Sequence, residues 1–321
     1  MLRASVDFLE FTVPQTAFYD LVGLFPGGLV MREGGWRGYQ CSALVASGKG
    51  FVGWSPDRED MGVHCSLGGQ ALGIFAGLDD RWEDLAGVLS LIRDEWKGHV
   101  TRIDVAFDDK EGVLDLDHMR QEVKAGNFTS RWKGGYERWG WGNQAGESLY
   151  FGSKGSDAFL CCYDKKEERL AKGHDCDEDH WVRVELRLRR KRADAVAQLW
   201  QSVARDARGV FEHLAGILRG YVEFKVPSAT DSNKRRWEVA SWWVAFLGHV
   251  EKARLVLEKV VRTIQNVMSW VSAQVSPSLA LLETALGKDR AWSFVFAETE
   301  HGRARWGPRH RAILRASGVT L

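Results

Sequence analysis

Residues 102–108 read Arg-Ile-Asp-Val-Ala-Phe-Asp, and residues 181–188 read Trp-Val-Arg-Val-Glu-Leu-Arg-Leu. Both stretches alternate with a period of two, which predicts β-strands because successive side chains on a strand point to opposite faces. A third stretch, residues 159–163, continues the pattern with Phe-Leu-Cys-Cys-Tyr. The polar or functional face of the three strands carries Arg102, Asp104, Asp108, Arg183, Glu185, Arg187 and Tyr163. If these strands are neighbours in one sheet, carboxylates, arginines and a tyrosine hydroxyl meet on one surface.

Three carboxylates of that face form a candidate metal site. Asp104 and Asp108 share one strand face, and Glu185 comes from another strand. Such oxygen ligands suit a hard divalent cation, Mg²⁺ or Mn²⁺, which would neutralise a scissile phosphate. The alternative is that each carboxylate is solvated or paired with Arg102 or Arg183, and for any single residue this interpretation is favoured. It weakens for the three together, because the opposite strand faces are so uniformly apolar.

Tyr163, at the end of its strand, is a candidate nucleophile. A tyrosine hydroxyl has an unperturbed pKa of about 10, so it needs a metal, a cation or a base to stabilise the phenolate. Lys165, Lys166 and a bound cation would supply that stabilisation. The alternative is a packing residue, which is the commoner role of a tyrosine at a strand end.

Composition places the chain among ordinary globular proteins. It has 321 residues, of which 45% are hydrophobic and 27% charged. The longest apolar stretches, residues 239–247 and 279–286, are too short to span a bilayer, so we predict no membrane association. The chain begins with a strand pattern, which predicts no signal peptide. Five cysteines, two of them adjacent, do not suggest a disulfide framework, and we expect a cytoplasmic protein.

Charge and tryptophan content suggest a nucleic-acid partner. Residues 180–321 carry 24 Lys and Arg against 13 Asp and Glu, whereas residues 1–179 carry 20 against 30. A basic C-terminal part favours contact with a polyanion, although solvated helix faces explain the same surplus equally well. Several of the 15 tryptophans adjoin cations or glycines, as in residues 133–142, which we interpret as an extended aromatic loop. Aromatic rings among cations suit single-stranded DNA, while core packing is the default for most tryptophans.

The periodicity divides the chain into two regions. Residues 1–190 are predicted to be mixed α+β and to form the catalytic nuclease domain, and residues 191–321 a mainly helical, basic, Trp-rich DNA-binding or accessory region. Helical spacing predicts helices over residues 80–96, 115–125, 165–172, 191–205, 208–219, 237–247, 250–270 and 276–286. A loose basic tail, with a last helix near residues 308–316, is predicted to end the chain.

Other chemistry has little support in the sequence. There is no phosphate-binding Gly-Lys-Ser/Thr loop and no dinucleotide fingerprint. His174, Cys176 and His180 occur among acidic residues, but their spacing matches no zinc pattern, and we interpret this segment as a charged surface loop.

The motifs of the central region resemble the replication initiation factor family of rolling-circle elements. Residues 102–108 resemble the family's "RIDLAFD" strand, and residues 183–187 resemble its "R(V/F)ELxLR" strand. Residues 149–157 and 163–165 resemble "YFGSRxSD…RIYDK", and residues 62–70 resemble its "SGQG" segment. The likeness runs in the family's order over about residues 60–190. Cys161 departs from the pattern, because the family often has arginine two residues before the tyrosine.

The resemblance implies a central antiparallel sheet like that of rolling-circle nucleases, without their paired-histidine metal motif. It implies that Tyr163 attacks one phosphodiester at a replication origin, forming a 5′-phosphotyrosyl bond and a free 3′-hydroxyl, and that the reverse attack rejoins the strand. Asp104 and Glu185, with Asp108 as a further candidate, would hold Mg²⁺ or Mn²⁺. Arg102, Arg183 and Lys165 would lie near the phosphate.

The same resemblance implies several partners and leaves alternatives open. Expected partners are single-stranded or cruciform origin DNA, duplex origin DNA, and a host helicase and polymerase; a homodimer is also allowed. The host element is a plasmid, a filamentous phage or an integrative element. One alternative is a conjugative relaxase with the same chemistry, and another is a non-catalytic origin-binding protein.

Overall fold

The structure, a computed structural model, describes residues 4–45, 50–75, 85–139, 147–203, 207–253, 255 and 264–319. The chain divides into two compact units, Met1–Leu257 and Glu258–Leu321. The predicted boundary at residue 190 concerns which part performs chemistry and which binds DNA, and it stays a prediction.

Twelve strands occur among the described residues. They are β1 (Ala4–Val13), β2 (Leu29–Arg32), β3 (Cys41–Val45), β4 (Gly50–Trp54), β5 (Val63–Gly68), β6 (His99–Asp109), β7 (Phe128–Ser130), β8 (Gly135–Trp139), β9 (Glu147–Phe151), β10 (Ala158–Asp164), β11 (Val182–Arg189) and β12 (Val222–Phe224). Ten form one antiparallel sheet in the order β2-β3-β4-β5-β1-β6-β11-β10-β9-β8, and β12 pairs with β7. The three alternating stretches are therefore the adjacent strands β6, β11 and β10, and the predicted α+β fold with a central antiparallel sheet is confirmed.

Helices of the first unit lie before, between and after these strands. They are α1 (Phe18–Gly23), α2 (Gly69–Ile74), α3 (Leu85–Ser90), α4 (Leu116–Ala125), α5 (Lys165–Ala171), α6 (Lys191–Val203), α7 (Ala207–Tyr221) and α8 (Ser241–Leu247). A π-helical segment, Leu91–Glu95, follows α3 directly. Asp115 caps α4 as expected for that residue type, because its carboxylate accepts from the backbone N–H groups of Asp117 and His118.

The apolar face of the sheet forms the core with these helices. Val105, Val184 and Leu186 are buried together with Trp200 of α6 and Trp243 of α8. The opposite face carries a separate cluster of Tyr150, Phe159, Cys161 and Tyr163. Because the two sets alternate along the same strands, the polar face takes its position from the packing beneath it.

The second unit is helical. Its helices are α9 (Ile264–Trp270), continued by a π-helical segment Val271–Val275, then α10 (Ser276–Leu286), α11 (Lys288–Ala304) and α12 (Pro308–Ala316). The predicted loose tail is wrong over Lys288–Ala304, because these residues form α11. Within the described residues, no helix is both long and apolar enough to cross a bilayer.

Two other expectations need correction. Residues 135–139 of the glycine-rich run form the edge strand β8 rather than a loop; residues 140–142 lie outside the described residues. A Cβ on Gly135 would lie 2.0 Å from the Tyr150 carbonyl oxygen, so glycine lets β8 approach β9 there. The predicted helix over 250–270 is wrong at 250–253, which are irregular. Residues 254 and 256–263 of that helix lie outside the described part of the chain. Residues 80–84 of the helix predicted over 80–96 also lie outside it.

Candidate active site

The register of β6, β11 and β10 brings the predicted site residues onto one face. Strand β11 lies between the other two, so its polar side chains contact neighbours on both sides. Directly paired positions are Asp104–Arg187, Asp108–Arg183, Cys161–Glu185 and Tyr163–Arg183. Side chains at paired and diagonal positions lie within contact distance, and the polar contacts of the site follow this register.

Tyr163 is hydrogen-bonded to one of the predicted metal ligands. Its Oη donates to Glu185 Oε2 at 3.1 Å, and both side chains are buried. Burial raises the pKa of Tyr163 well above its usual value, and the charge of Glu185 is the next largest cause of the rise. The hydroxyl is therefore protonated at neutral pH, with a carboxylate in place to accept its proton.

Asp104 lies at the other side of Glu185 and is held by Arg102. Arg102 Nε donates to Asp104 Oδ1 at 2.9 Å, its Nη2 donates to Oδ2, and the guanidinium lies 4.0 Å from the ring centre of Phe8. Burial raises the pKa of Asp104 to about 7 despite these hydrogen bonds, and the nearby Glu185 contributes to the rise. The charges of the two carboxylates therefore interact unfavourably.

Arg187 joins these carboxylates, and no role was assigned to it from the sequence. Its Nε lies 2.7 Å from Glu185 Oε1 and 3.4 Å from Asp104 Oδ2. The alternation of β11 already placed Arg187 on the polar face, but which side chains it contacts depends on the strand register. A continuous series of polar contacts therefore runs from Arg102 through Asp104, Arg187 and Glu185 to Tyr163.

Arg183 and Asp108 form a second polar group, which lies two residues before Glu185 on β11. Arg183 donates from Nε and Nη2 to the two oxygens of Asp108 at 2.7 and 2.8 Å, and Trp181 Nε1 donates to Oδ1 at 2.8 Å. Arg183 also contacts Asp7, which lies at a β-bulge of β1. Although burial lowers the pKa of Arg183, the hydrogen bonds that it donates to Asp108 and the charge of that carboxylate raise the pKa overall. Arg183 is thus engaged with carboxylates, as the alternative interpretation of these charges expected.

Lys165 lies against the ring of Tyr163. Its Nζ is 5.6 Å from the ring centre and 2.7 Å from Glu168 Oε2. Lys166 Nζ donates to the Asp179 carbonyl oxygen at 3.1 Å. The structure therefore places Lys165 next to the candidate nucleophile and directs Lys166 elsewhere.

An aromatic stack adjoins the polar group on the same face. The Tyr136 and Tyr150 rings lie 4.5 Å apart at 18°, and those of Tyr150 and Phe159 lie 5.5 Å apart at 20°. Arg187 lies 5.7 Å from the Phe159 ring centre, and Lys154 lies 5.8 Å from that of Tyr150. The stack begins at the exposed Tyr136 on edge strand β8 and ends beside the carboxylates.

Cys161 lies within this stack, where the resemblance leads one to expect an arginine. Its side chain is buried, and burial raises the pKa of the thiol to about 12, with a further contribution from Glu185. A neutral thiol carries no positive charge, so it does not attract a phosphate as an arginine at this position would. On the neighbouring strand β11, Arg187 is paired with Phe159, two residues before Cys161.

Other candidate ligands stay apart from this site. His180 Nε2 lies 3.1 Å from Asp109 Oδ2, and His174 is exposed, so this segment is a charged surface loop with one buried attachment. Over the described residues, no group of three or more His, Cys, Asp or Glu is arranged to hold a metal ion.

Comparisons with known proteins point to one family. The family model described as "Replication initiation factor" matches residues 98–293, a range that contains β6, β10 and β11. The protein described as "Putative DNA relaxase NicK" from Bacillus subtilis (strain 168) is 29% identical over 308 residues, which cover 90% of this chain and 77% of that protein. The solved structure of a rolling circle replication initiator protein from Geobacillus stearothermophilus matches with a TM-score of 0.63 and 28% identity, covering 81% of this chain and 100% of that chain.

Proposed function

This chain belongs to the replication initiation factor family, and we propose that it nicks and rejoins one DNA strand at a replication origin through Tyr163. The observation that carries the proposal is the contact of Tyr163 Oη with Glu185, at 3.1 Å, within a polar group that includes Asp104. Similarity to a rolling-circle initiator and to a DNA relaxase supports strand cleavage as the activity.

In the proposed reaction Tyr163 is the nucleophile and Glu185 receives its proton. A bond forms between Oη and the phosphorus, the bond from phosphorus to the 3′-oxygen breaks, and that oxygen takes a proton to leave as a 3′-hydroxyl. The product is a 5′-phosphotyrosyl bond, and attack by a 3′-hydroxyl reverses the sequence and closes the strand. Because the pKa of Tyr163 is raised in the DNA-free protein, positive charge must approach the hydroxyl before phenolate is accessible.

A divalent cation, Mg²⁺ or Mn²⁺, belongs to this proposal, and the donor set fits it. Asp104 and Glu185 supply buried carboxylate oxygens, and Mg²⁺ commonly binds through one or two carboxylates together with water and substrate phosphate. When bound, such an ion neutralises charge on the phosphoryl oxygens. Asp108 is engaged with Arg183, so we assign it to holding Arg183 rather than to the ion.

We also propose that single-stranded origin DNA lies along the aromatic stack. Rings that stack on bases and cations that contact phosphates are the usual means of holding single strands, and Tyr136, Lys154 and Arg187 combine both beside the carboxylates. The roles of Arg102 and Lys165 near the phosphate, a host helicase and polymerase, a homodimer and a cytoplasmic location stay predictions.

The test is formation of a covalent protein–DNA adduct. Single-stranded oligonucleotides that tile the replicon encoding the chain are incubated with the protein and Mn²⁺, and adducts are separated on a denaturing gel. We expect an adduct with the wild type, none with Tyr163→Phe, and none with EDTA. Tyr150→Phe is the matched control, because Tyr150 lies on the neighbouring strand opposite Cys161, and we expect it to retain the adduct.

Two results would change the assignment. An adduct that persists in a folded Tyr163→Phe variant would show that another residue is the nucleophile. EDTA-resistant binding of one oligonucleotide, without cleavage of any, would favour the non-catalytic origin-binding alternative. A conjugative relaxase, which the similarity to a DNA relaxase also supports, would give the same adduct and differ only in the DNA site that it cleaves.

A further inference from the structure

Arg187 occupies the space between the two carboxylates that we assign to the cation. Because its Nε lies 3.4 Å from Asp104 Oδ2 and 2.7 Å from Glu185 Oε1, those oxygens are at most about 6 Å apart. Two oxygens on one hard cation, each roughly 2.0–2.6 Å from it, lie at most about 5 Å apart. The guanidinium therefore sits close to where an ion bridging these carboxylates would lie.

Each carboxylate has another partner that remains when Arg187 moves. Asp104 keeps its two hydrogen bonds from Arg102, and Glu185 keeps the hydroxyl of Tyr163. Arg187 itself is 28% exposed and lies against the face of Phe159. It is thus the member of the group that can leave without dismantling the site.

The charges explain why a cation cannot simply join the existing group. Asp104 and Glu185 are 1% and 3% exposed, so each is a costly charge to bury without a partner. Arg187 supplies one positive charge to the pair, and an added divalent ion would lie within a few ångströms of it. Like charges at that distance repel strongly in a partly buried site. Ion entry therefore requires that Arg187 move away.

We propose that Arg187 is a positioning residue that holds the cation site closed in the DNA-free protein and moves to a DNA phosphate when the ion enters. This inference rests on the proposed function. A guanidinium released from carboxylates finds an equivalent partner in a phosphate, because its donors match both groups. DNA phosphate and ion then assist each other's binding, and the coupling is reciprocal. Arg187 would then supply the positive charge toward the phosphate that Cys161, where the family often has arginine, does not supply.

The experiment measures Mn²⁺ affinity of the intact, DNA-free protein by titration calorimetry, with folding checked by circular dichroism. We expect Arg187→Gln to bind Mn²⁺ at least about tenfold more tightly than wild type, because a competing charge is gone. Arg187→Lys keeps the charge and should stay within about threefold of wild type. Arg190→Gln is the matched control, since Arg190 directly follows β11, its side chain is 76% exposed and it pairs with Asp157; it should leave the affinity unchanged.

A second measurement uses wild-type protein alone, so the proposal stays testable if Arg187→Gln does not fold. A saturating single-stranded thymidine 20-mer, corrected for ion binding by the oligonucleotide itself, should tighten Mn²⁺ binding at least about tenfold. Equal or weaker Mn²⁺ binding by a folded Arg187→Gln variant would overturn the proposal, as would absence of this coupling in wild type. Neither measurement involves strand cleavage, so a failure of Tyr163 as nucleophile would leave the result intact and is distinguished by the adduct assay.

Discussion

Replacement of Arg183 by methionine tests whether this arginine is a structural ion-pair partner or is available to a phosphate. Arg183 is 7% exposed and donates to both oxygens of Asp108 at 2.7 and 2.8 Å. Removing one partner of a buried pair costs roughly 3–5 kcal/mol, because the other charge is left uncompensated. The Asp108 side chain keeps 22% exposure, so we expect the lower end of that range, about 3 kcal/mol of the free energy of unfolding.

Urea denaturation followed by tryptophan fluorescence measures this loss. The control is Arg190→Met, because the Arg190 side chain is 76% exposed and its pair with Asp157 should be worth at most about 1 kcal/mol. In the double variant Arg183→Met/Asp108→Asn no uncompensated charge is left. Its loss of unfolding free energy should therefore be smaller than the sum of the losses of the two single variants by about 1 kcal/mol or more. A cost for Arg183→Met no larger than that for Arg190→Met would refute the reasoning and return Arg183 to the phosphate ligands.

Asp104, the buried cysteines and the edge tyrosine give three more tests. Burial raises the pKa of Asp104 to about 7 from about 3.9 in an unfolded chain. The stabilisation that the protonated carboxyl contributes is therefore complete below pH 4 and is lost as the pH rises to 7. In EDTA, the free energy of unfolding of the wild type should fall between pH 5 and 8 by about 2.5 kcal/mol more than that of Asp104→Asn, and parallel pH curves for the two proteins would contradict this. Mass spectrometry after iodoacetamide should show Cys41 and Cys176 alkylated well before Cys161, which is buried with a pKa of about 12; equal rates would argue against that burial. Tyr136→Ala should weaken thymidine 20-mer binding by roughly 1–3 kcal/mol in fluorescence anisotropy, and an unchanged affinity would remove the stack from the DNA path.

Much of the candidate site was predictable because it lies on regular strands. Alternation predicted that Asp104, Tyr163 and Glu185 share a surface if their strands are neighbours, and the order of the motifs indicated the family. Helix α11 was not predicted, because Lys288–Ala304 has no continuous apolar stripe at helical spacing. Its large apolar residues Phe294 and Phe296 are exposed. Helical periodicity is visible only where one helix face is buried.

The glycine-rich run shows a different limit. Residues 135–139 lack the apolar alternation of a half-buried strand, yet they form β8 because β9 offers its free edge. Pairing with a neighbour supplies the hydrogen bonds that the local sequence does not specify. The stack of Tyr136 on Tyr150 follows from that pairing, so it was invisible until the strand order was known.

The sequence by itself determined which side chains share a face, because the direction of successive side chains on a strand is a property of the covalent backbone. Only the tertiary structure decided which of them touch. Strand order and register set Arg183 against Asp108 and placed Arg187 between Asp104 and Glu185, and the local sequence of one strand fixes neither of them. Two arginines of one short strand thereby acquire different surroundings, one fixed by carboxylates at the end of the site and the other at its centre.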